Sequence, residues 1–272
     1  TRSTYLGRGP NKSTAGEGFD LSSLDLPGRQ QDLLKAIKAT GKPMIVILIA
    51  GKPQVMTWAK ENADAVLTQW YCGEQQGNSM ADILVGNVNP SGKLNVSFPR
   101  STGNTPCFYN YLPTDREQQF DSGGSYEEPK GHYIFEKPYA LWNFGYGLSY
   151  TTFQYGSMDA TYDDATGNVK VKTTVINTGN QDGDEVVQLY LTNKRDFVTP
   201  LRALKGFKRI HLKKGESKEV EFNLSGQELS VVDKEGNSVP MKGNVLISVG
   251  GEQPSQQSLA GGKCMQKDMV LP

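Results

Sequence analysis

The chain has 272 residues, which is enough for one large domain or two domains of ordinary size. Basic and acidic side chains number 29 each, so they balance in the formal charge. Because no global charge is present to attract nucleic acid or acidic lipid, we expect neither as a partner. The longest apolar run, residues 44–50, is too short to cross a bilayer and instead predicts a buried strand.

Helix and strand patterns alternate over the first hundred residues. The predicted elements are a helix over residues 30–39, a strand over 44–50, a helix over 54–62, a strand over 65–69 and a helix over 75–84. Leu33, Leu34 and Ile37 share one face of the first helix, and Gly41 ends it. Strands that alternate with helices favour a mostly parallel sheet covered by helices on both faces. We expect only part of such a sheet, since no strand pattern precedes the first helix.

The predicted secondary structure of the chain changes near Thr151. Residues 100–143 are irregular and rich in Pro, Gly, Tyr and acidic side chains, as in segments that are functional or lie across a domain surface. Short alternating strands are predicted afterwards at residues 169–175, 185–191, 203–212, 218–222 and 245–249. Turn signals separate them, which is typical of a β-sandwich of about 100 residues.

Most familiar catalytic patterns are absent from the sequence. The two histidines, His132 and His211, fall in different predicted regions and disfavour a metal cluster or a Ser-His-Asp triad. No phosphate-binding loop, dinucleotide fingerprint or GxSxG elbow occurs. The chain has three cysteines, Cys72, Cys107 and Cys264, and because this number is odd at least one of them is unpaired within the chain. These absences argue against a metal cluster and set aside a nucleotide-binding enzyme.

Carboxylate chemistry is the remaining possibility. The segment STAGEGFD, residues 13–20, places Glu17 between two glycines. Glycines let a backbone approach a ligand closely, so Glu17 could reach into a neighbouring cleft. Retaining glycosidases need two carboxyl groups about 5–5.5 Å apart. From these residues alone, an exposed glutamate on a surface loop is the simpler interpretation, and the role of Asp20 stays open.

Other side chains admit two interpretations each. Glu74, in GEQQG at residues 73–77, is either a second catalytic carboxylate or, as we favour, a charge in the first turn of the next helix, where it suits the helix dipole. Trp70, Tyr71 and Trp142 either stack on sugar rings or, as we favour, pack in a core or at a domain joint.

Two dense motifs connect the chain to a known family. They are NVNPSGKLNVSFP at residues 87–99 and FGYGLSYT at residues 144–151. Upstream lie GKP at 41–43, ADAVL at 63–67 and WY at 70–71, and downstream lie LKGF at 204–207 and LKKGES at 212–217. In this order, over residues 14–251, the chain resembles the C-terminal half of glycoside hydrolase family 3, the β-glucosidase and β-xylosidase group.

The resemblance implies a domain organisation. The expected parts are an α/β layered sandwich, incomplete at its N-terminus, over residues 1–105, a wrapping linker over 106–151, a fibronectin-III-like β-sandwich over 152–252 and an extended C-terminal tail over 253–272. We also expect the rings of Phe144, Tyr146 and Tyr150 to be largely buried at the joint between the two domains.

The resemblance also implies an activity. It is that of a retaining exo-β-glycosidase of the β-glucosidase or β-xylosidase type, which hydrolyses terminal β-linked sugars of oligosaccharides or β-glucosides. Glu17 stands at the position of the acid/base glutamate in the family's Ser-Gly-Glu-Gly segment, although Ala15 and Leu21 depart from the common pattern. No cofactor is implied, and the expected location is the periplasm or the cell exterior.

The family's nucleophilic Asp lies on an N-terminal β/α barrel, and we expect that barrel to lie outside these 272 residues. We expect the barrel from the same gene or from a separate chain, and we expect this chain alone to be inactive. The alternative is a non-catalytic carbohydrate-binding or scaffold module. A phosphorolytic or N-acetylglucosamine-releasing relative is a third possibility, although the N-acetylglucosamine-releasing subgroup often lacks these C-terminal domains.

Overall fold

The computed structural model describes residues 21–112, 136–137, 139–193 and 199–272. Within these ranges the chain forms two compact units. Residues 21–84, 98–107 and 139–141 belong to the first, and the other described residues belong to the second. The division expected near Thr151 therefore differs from the structure, since residues 85–97 and 142–150 belong with the second unit.

The first unit alternates helices with parallel strands, as the sequence predicts. Its elements are α1 (Gln30–Lys38), β1 (Ile45–Leu48), α2 (Thr57–Asn62), β2 (Ala65–Thr68), α3 (Gln76–Leu84) and a 3₁₀ turn at Thr102–Asn104. β1 and β2 pair in parallel, from Ile45 opposite Ala65 to Leu48 opposite Thr68. Just before the two strands, the peptide N–H of Asp64 donates to the carbonyl of Met44 at 2.9 Å.

The core of the first unit is small. Its buried apolar side chains are those of Met44, Val46, Leu48, Met56, Ala59, Met80, Phe98 and Leu141. The apolar face of α1 is not part of this core, because Leu33 is 59% exposed and Ile37 is 40% exposed. Every other helix of this unit buries at least one side chain, Ala59 in α2 and Met80 in α3.

The second unit is an antiparallel β-sandwich. Its elements are β3 (Phe153–Asp163), β4 (Asn168–Asn177), β5 (Gly183–Asn193), β6 (Ala203–Leu212), β7 (Ser217–Leu224), β8 (Ser230–Val232), β9 (Ser238–Pro240), β10 (Gly243–Gly250), α4 (Gln256–Ala260) and β11 (Cys264–Leu271). One sheet has the order β3-β4-β7, and the other has the order β11-β10-β5-β6. β8 and β9 form a separate hairpin. The predicted all-β second domain is confirmed.

Alternating aliphatic residues form the core between the two sheets. Those that are almost fully buried include Val169, Val171 and Val175 of β4, Val187, Leu189 and Leu191 of β5, and Val245, Ile247 and Val249 of β10. Successive side chains of a strand point to opposite faces, so this spacing of two places them on one side of each sheet. Full burial of each such side chain is worth about 1.5–3 kcal/mol.

The structure differs from the expected extended tail over residues 253–272. β11 pairs with β10 along its whole length, from Gly243 opposite Leu271 to Gly250 opposite Cys264. Cys264 and Leu271 are buried, whereas the residues between them alternate between half-buried and exposed positions. The segment is an edge strand with one apolar face, which a polar residue interrupts in the sequence.

None of the helices in the described ranges has the length and apolar character that crossing a membrane requires. All three cysteines lie in described ranges and are free thiols: Cys72 is exposed, Cys107 is half-buried and Cys264 is buried. Burial raises the pKa of the Cys107 thiol to about 11 and that of the Cys264 thiol to about 12, so neither is a reactive thiolate at neutral pH.

Candidate functional site

The predicted acid/base residue, Glu17, lies outside the described residues, as does Asp20. Their roles therefore remain predictions. The chain that follows them is fixed in the first unit near Leu24. The Val55 peptide N–H donates to the Leu24 carbonyl at 2.8 Å, and the Leu24 N–H donates to Thr102 Oγ1 at 3.0 Å. Val55 belongs to the loop after β1, so Leu24 lies beside that loop.

The carboxyl ends of β1 and β2 form one edge of the first unit. The Gln69 N–H, just after β2, donates to the carbonyl of Leu48, the last residue of β1, at 3.0 Å. In open α/β sheets, ligands bind in the crevice outside the carboxyl ends of the parallel strands. The loops over residues 49–56 and 69–75 are therefore the described segments where a substrate-facing surface is expected.

The loop after β2 is held in an unusual conformation at Trp70. This residue has a φ of 47°, whereas non-glycine residues normally avoid positive φ. Its ring packs against Phe98, with ring centroids 5.9 Å apart, and Phe98 is only 2% exposed. The buried Gln69 amide donates to the carbonyl of Gln76 at the start of α3. The favoured interpretation of Trp70 as a packing residue agrees with this contact.

Tyr71 differs from its neighbour because its side chain is exposed. It is 69% accessible, and a Cβ atom added at Gly51 would lie 2.8 Å from Tyr71 Cε2. The ring therefore crosses the loop after β1 close to Gly51. Trp142 is half-buried and belongs to the second unit, so the structure does not place it in one unit with Trp70 and Tyr71.

Glu74 is an exposed turn residue in the same loop. The expectation that it lies in the first turn of the next helix is wrong, because α3 begins at Gln76 and has no acidic residue in its first turn. A Gln76 N–H bond to the Gly73 carbonyl at 3.2 Å closes the turn that contains Glu74. Its carboxylate lies in the same loop as Tyr71, at the carboxyl end of β2.

The two dense sequence motifs meet in the second unit. The Leu94 N–H donates to the Tyr146 carbonyl at 2.8 Å, and the Gly145 N–H donates to the Leu94 carbonyl at 2.7 Å. The Asn89 side-chain oxygen accepts from Ser149 Oγ and from the Tyr150 N–H, both at 2.8 Å. Hydrogen bonds thus join the two motifs to each other, which explains why they meet in the sandwich unit.

The aromatic rings of the second motif are less buried than expected. The prediction of burial is wrong for Tyr150, which is 48% exposed, whereas Phe144 and Tyr146 are half-buried. Phe144 stacks on Tyr109 with centroids 4.1 Å apart, and Tyr109 meets the buried Tyr190 edge-on at 6.2 Å. The peptide N–H of Tyr150 anchors this residue to the Asn89 side chain.

A buried ion pair holds the first motif to the sandwich. Lys93 Nζ lies 3.4 Å from Glu185 Oε1 and donates to the Gly147 carbonyl at 3.1 Å. The Tyr155 hydroxyl donates to Glu185 Oε1 at 3.1 Å. Burial raises the pKa of the Glu185 carboxyl, and the Lys93 charge opposes that rise. Sequence analysis missed this pair; an acidic residue at an inward position of the apolar β5 strand was its only signal.

This charged cluster is structural rather than catalytic. Glu185 is 4% exposed, and its carboxylate is occupied by partners within the same unit. A shallow cleft of about 150 Å³ borders it, lined also by Tyr146 and Glu252. In the described ranges, no three His, Cys, Asp or Glu side chains converge to form a metal site.

Comparison with known proteins agrees with this organisation. Residues 6–150 match the glycosyl hydrolase family 3 C-terminal domain, and residues 185–253 match the fibronectin type III-like domain. A beta-xylosidase of Formosa agariphila is 43% identical over 245 residues, which are 89% of this chain and 32% of that protein. A periplasmic beta-glucosidase of Salmonella typhimurium is 37% identical over 257 residues, 92% of this chain and 33% of that protein.

Solved structures share the fold. A beta-glucosidase from Listeria innocua superposes with a TM-score of 0.80 at 30% identity, over 92% of this chain and 34% of that one. The chain spans about a third of the length of each of these relatives. With more than half of its residues matched by the family's C-terminal domain, the chain belongs to glycoside hydrolase family 3.

Proposed function

We propose that this chain is the acid/base-bearing part of a retaining exo-β-glycosidase. The observation that carries the proposal is the match across both domains to relatives named beta-xylosidase and beta-glucosidase. The substrates would be terminal β-linked glucose or xylose units of oligosaccharides or β-glucosides. The relatives extend well beyond the matched part, which leaves room for the N-terminal barrel that would carry the nucleophilic Asp.

In this mechanism Glu17 acts twice. It first protonates the leaving oxygen while the barrel's Asp attacks the anomeric carbon, and it then takes a proton from the water that hydrolyses the glycosyl-enzyme. Glu17 precedes Leu24 by seven residues, a length that spans at most about 25 Å. Leu24 is bonded to Val55 in the loop after β1, and ligands bind at the carboxyl ends of parallel strands in α/β sheets, which supports the proposed role of Glu17.

The barrel is the partner that the mechanism requires, in the same gene or as a separate chain. Without it one carboxylate of the pair is missing, so the chain alone would not hydrolyse an aryl β-glucoside. A periplasmic or extracellular location is part of the proposal, and a relative named as periplasmic supports it.

The test uses the enzyme with its barrel and the substitution Glu17→Gln. A dinitrophenyl glycoside hardly needs protonation to lose its leaving group, so the variant should form the glycosyl-enzyme rapidly on it. On substrates with poor leaving groups the rate should fall about 10²–10⁴-fold, which is the usual contribution of positioned proton transfer. Azide needs no general base, so adding it should restore turnover and yield a β-glycosyl azide.

Asp32→Asn is the matched control, because Asp32 is an exposed carboxylate on α1 of the first unit, outside the loops at the carboxyl ends of the strands. It should keep parental rates on both kinds of substrate. Parental rates in Glu17→Gln on poor leaving groups, or no azide product, would refute the assignment of Glu17. Sugar binding with no hydrolysis by the complete protein would favour the non-catalytic module instead.

A further inference from the structure

The first unit contains a cleft that the proposed chemistry does not use. It has a volume of about 370 Å³ and lies between the N-terminal parts of α1 and α2. The residues that line it include Asp25, Gln31, Val55, Thr57, Trp58 and Glu61. Small-molecule sites commonly occupy clefts of roughly 300–1,000 Å³ that combine apolar walls with a few polar groups. The cleft is within this range, and its polar groups lie beside the apolar side chains of Leu26, Val55 and Trp58.

The Gln31 amide is the feature that points to a ligand. Its Nε2 atom is buried and has no hydrogen-bond partner. Buried amide groups are nearly always hydrogen-bonded, so such a group needs an explanation. Gln31 lines the cleft, so an acceptor on a molecule bound there would satisfy this amide.

The cleft walls are held in place by internal hydrogen bonds. Val55 is bonded through its N–H to the Leu24 carbonyl at 2.8 Å. Thr57 donates its hydroxyl to the Arg100 carbonyl at 2.7 Å, which fixes the start of α2. The Gln54 side-chain amide donates to the carbonyls of Leu24 at 2.7 Å and Asp25 at 3.2 Å. The site is therefore largely preformed.

The charges of the lining residues select the ligand's chemistry. Asp25 and Glu61 are carboxylates, and the described lining residues include no Lys, Arg or His, so an anionic ligand such as a sugar phosphate is disfavoured. A bound cation is also disfavoured, since in the described part of the chain no three acidic, His or Cys side chains converge. Carboxylates accept hydrogen bonds from hydroxyl groups, and an indole face packs against the C–H face of a sugar ring.

We propose that this cleft binds a neutral saccharide, with Trp58 as the stacking surface, Gln31 as a donor and Asp25 and Glu61 as acceptors for hydroxyl groups. This binding needs neither Glu17 nor the barrel. The site can therefore be tested on the 272-residue chain, and its failure would leave the proposed hydrolysis untouched.

The experiment is an NMR titration of the chain with D-glucose and with D-xylose, following the indole N–H signal of Trp58. Saturable shifts of that signal are expected, because the ring would contact the sugar. Trp58→Ala should weaken binding about tenfold, and Gln31→Leu should weaken it about two- to tenfold, the usual range for one net hydrogen bond. Glucose 6-phosphate should bind at least about tenfold more weakly than glucose because two carboxylates face it.

Gln30→Leu is the matched control, since Gln30 is exposed on the same helix and does not line the cleft. It should leave the affinity unchanged. Four results would overturn the proposal. They are no saturable binding of either sugar, equal affinity for glucose 6-phosphate, equal effects of Gln31→Leu and Gln30→Leu, or calcium chloride producing the same saturable shifts as the sugars.

Discussion

Replacing Lys93 by methionine tests whether the buried ion pair stabilises the sandwich. Methionine keeps the length of the unbranched aliphatic part of the lysine side chain and removes the charge that lies 3.4 Å from Glu185 Oε1. The two side chains are only 14% and 5% exposed, so water replaces little of the lost interaction. At an effective dielectric constant of about 20, a pair at this distance interacts by about 5 kcal/mol. Breaking buried pairs typically costs about 3–5 kcal/mol.

We therefore expect Lys93→Met to lower the free energy of unfolding of the sandwich by about 3–5 kcal/mol near pH 7. The double variant Lys93→Met/Glu185→Gln should recover much of this loss, because it leaves no unpaired charge buried. Native-state hydrogen exchange of the Val187, Leu189 and Ile247 amides is the appropriate assay. These residues lie in the core of the sandwich, so their slowest exchange reports its global opening independently of the first unit.

The pH dependence has a definite sign. The folded-state pKa of Glu185 is raised by burial, so its ionisation lowers the free energy of unfolding as pH rises through the unfolded value and then the folded value. Without Lys93, the group that holds this pKa down is lost, and the folded pKa should rise further. The deficit of Lys93→Met should therefore be largest at neutral pH and should shrink as pH falls and Glu185 becomes protonated.

Lys170→Met is the matched control, since Lys170 also lies 3.4 Å from a glutamate, Glu221, but its side chain is 51% exposed. It should leave stability within experimental error. The reasoning would be refuted if Lys93→Met lost no more stability than Lys170→Met, or if its deficit were the same in acid as at neutral pH.

Two further variants test the packing of the sandwich. Gly145→Ala should lower its stability by about 1–3 kcal/mol in thermal melts, because Gly145 has a φ of 79° and an added Cβ would lie 2.1 Å from Gln188 Oε1. Gly167→Ala, with a φ of 71° but no atom within 3.7 Å, should cost less, and equal costs would contradict the contact. A chain ending at Lys263 should lose amide protection in β10, because β11 covers that edge and buries Cys264 and Leu271. Unchanged protection would argue against the edge strand.

The sequence by itself determined that an α/β unit is followed by an all-β sandwich. Aliphatic residues at every second position, as at Val169, Val171 and Val175, can be buried on one face only in a strand, so the sandwich was predictable. β3 and β11 escaped prediction. In β3 the register shifts between Tyr155 and Met158, which breaks the alternation, and in β11 a polar residue interrupts the apolar face.

The contacts that shape the candidate sites were decided only by the tertiary structure. Lys93 and Glu185 are 92 positions apart, and no local pattern indicates that they pair. Trp70 and Tyr71 are adjacent and chemically alike, yet one packs on Phe98 and the other lies exposed over Gly51. Backbone torsion at the end of β2 determines which ring faces inward. That torsion is imposed by packing across the unit, because a positive φ at a non-glycine residue is unfavourable in an isolated segment.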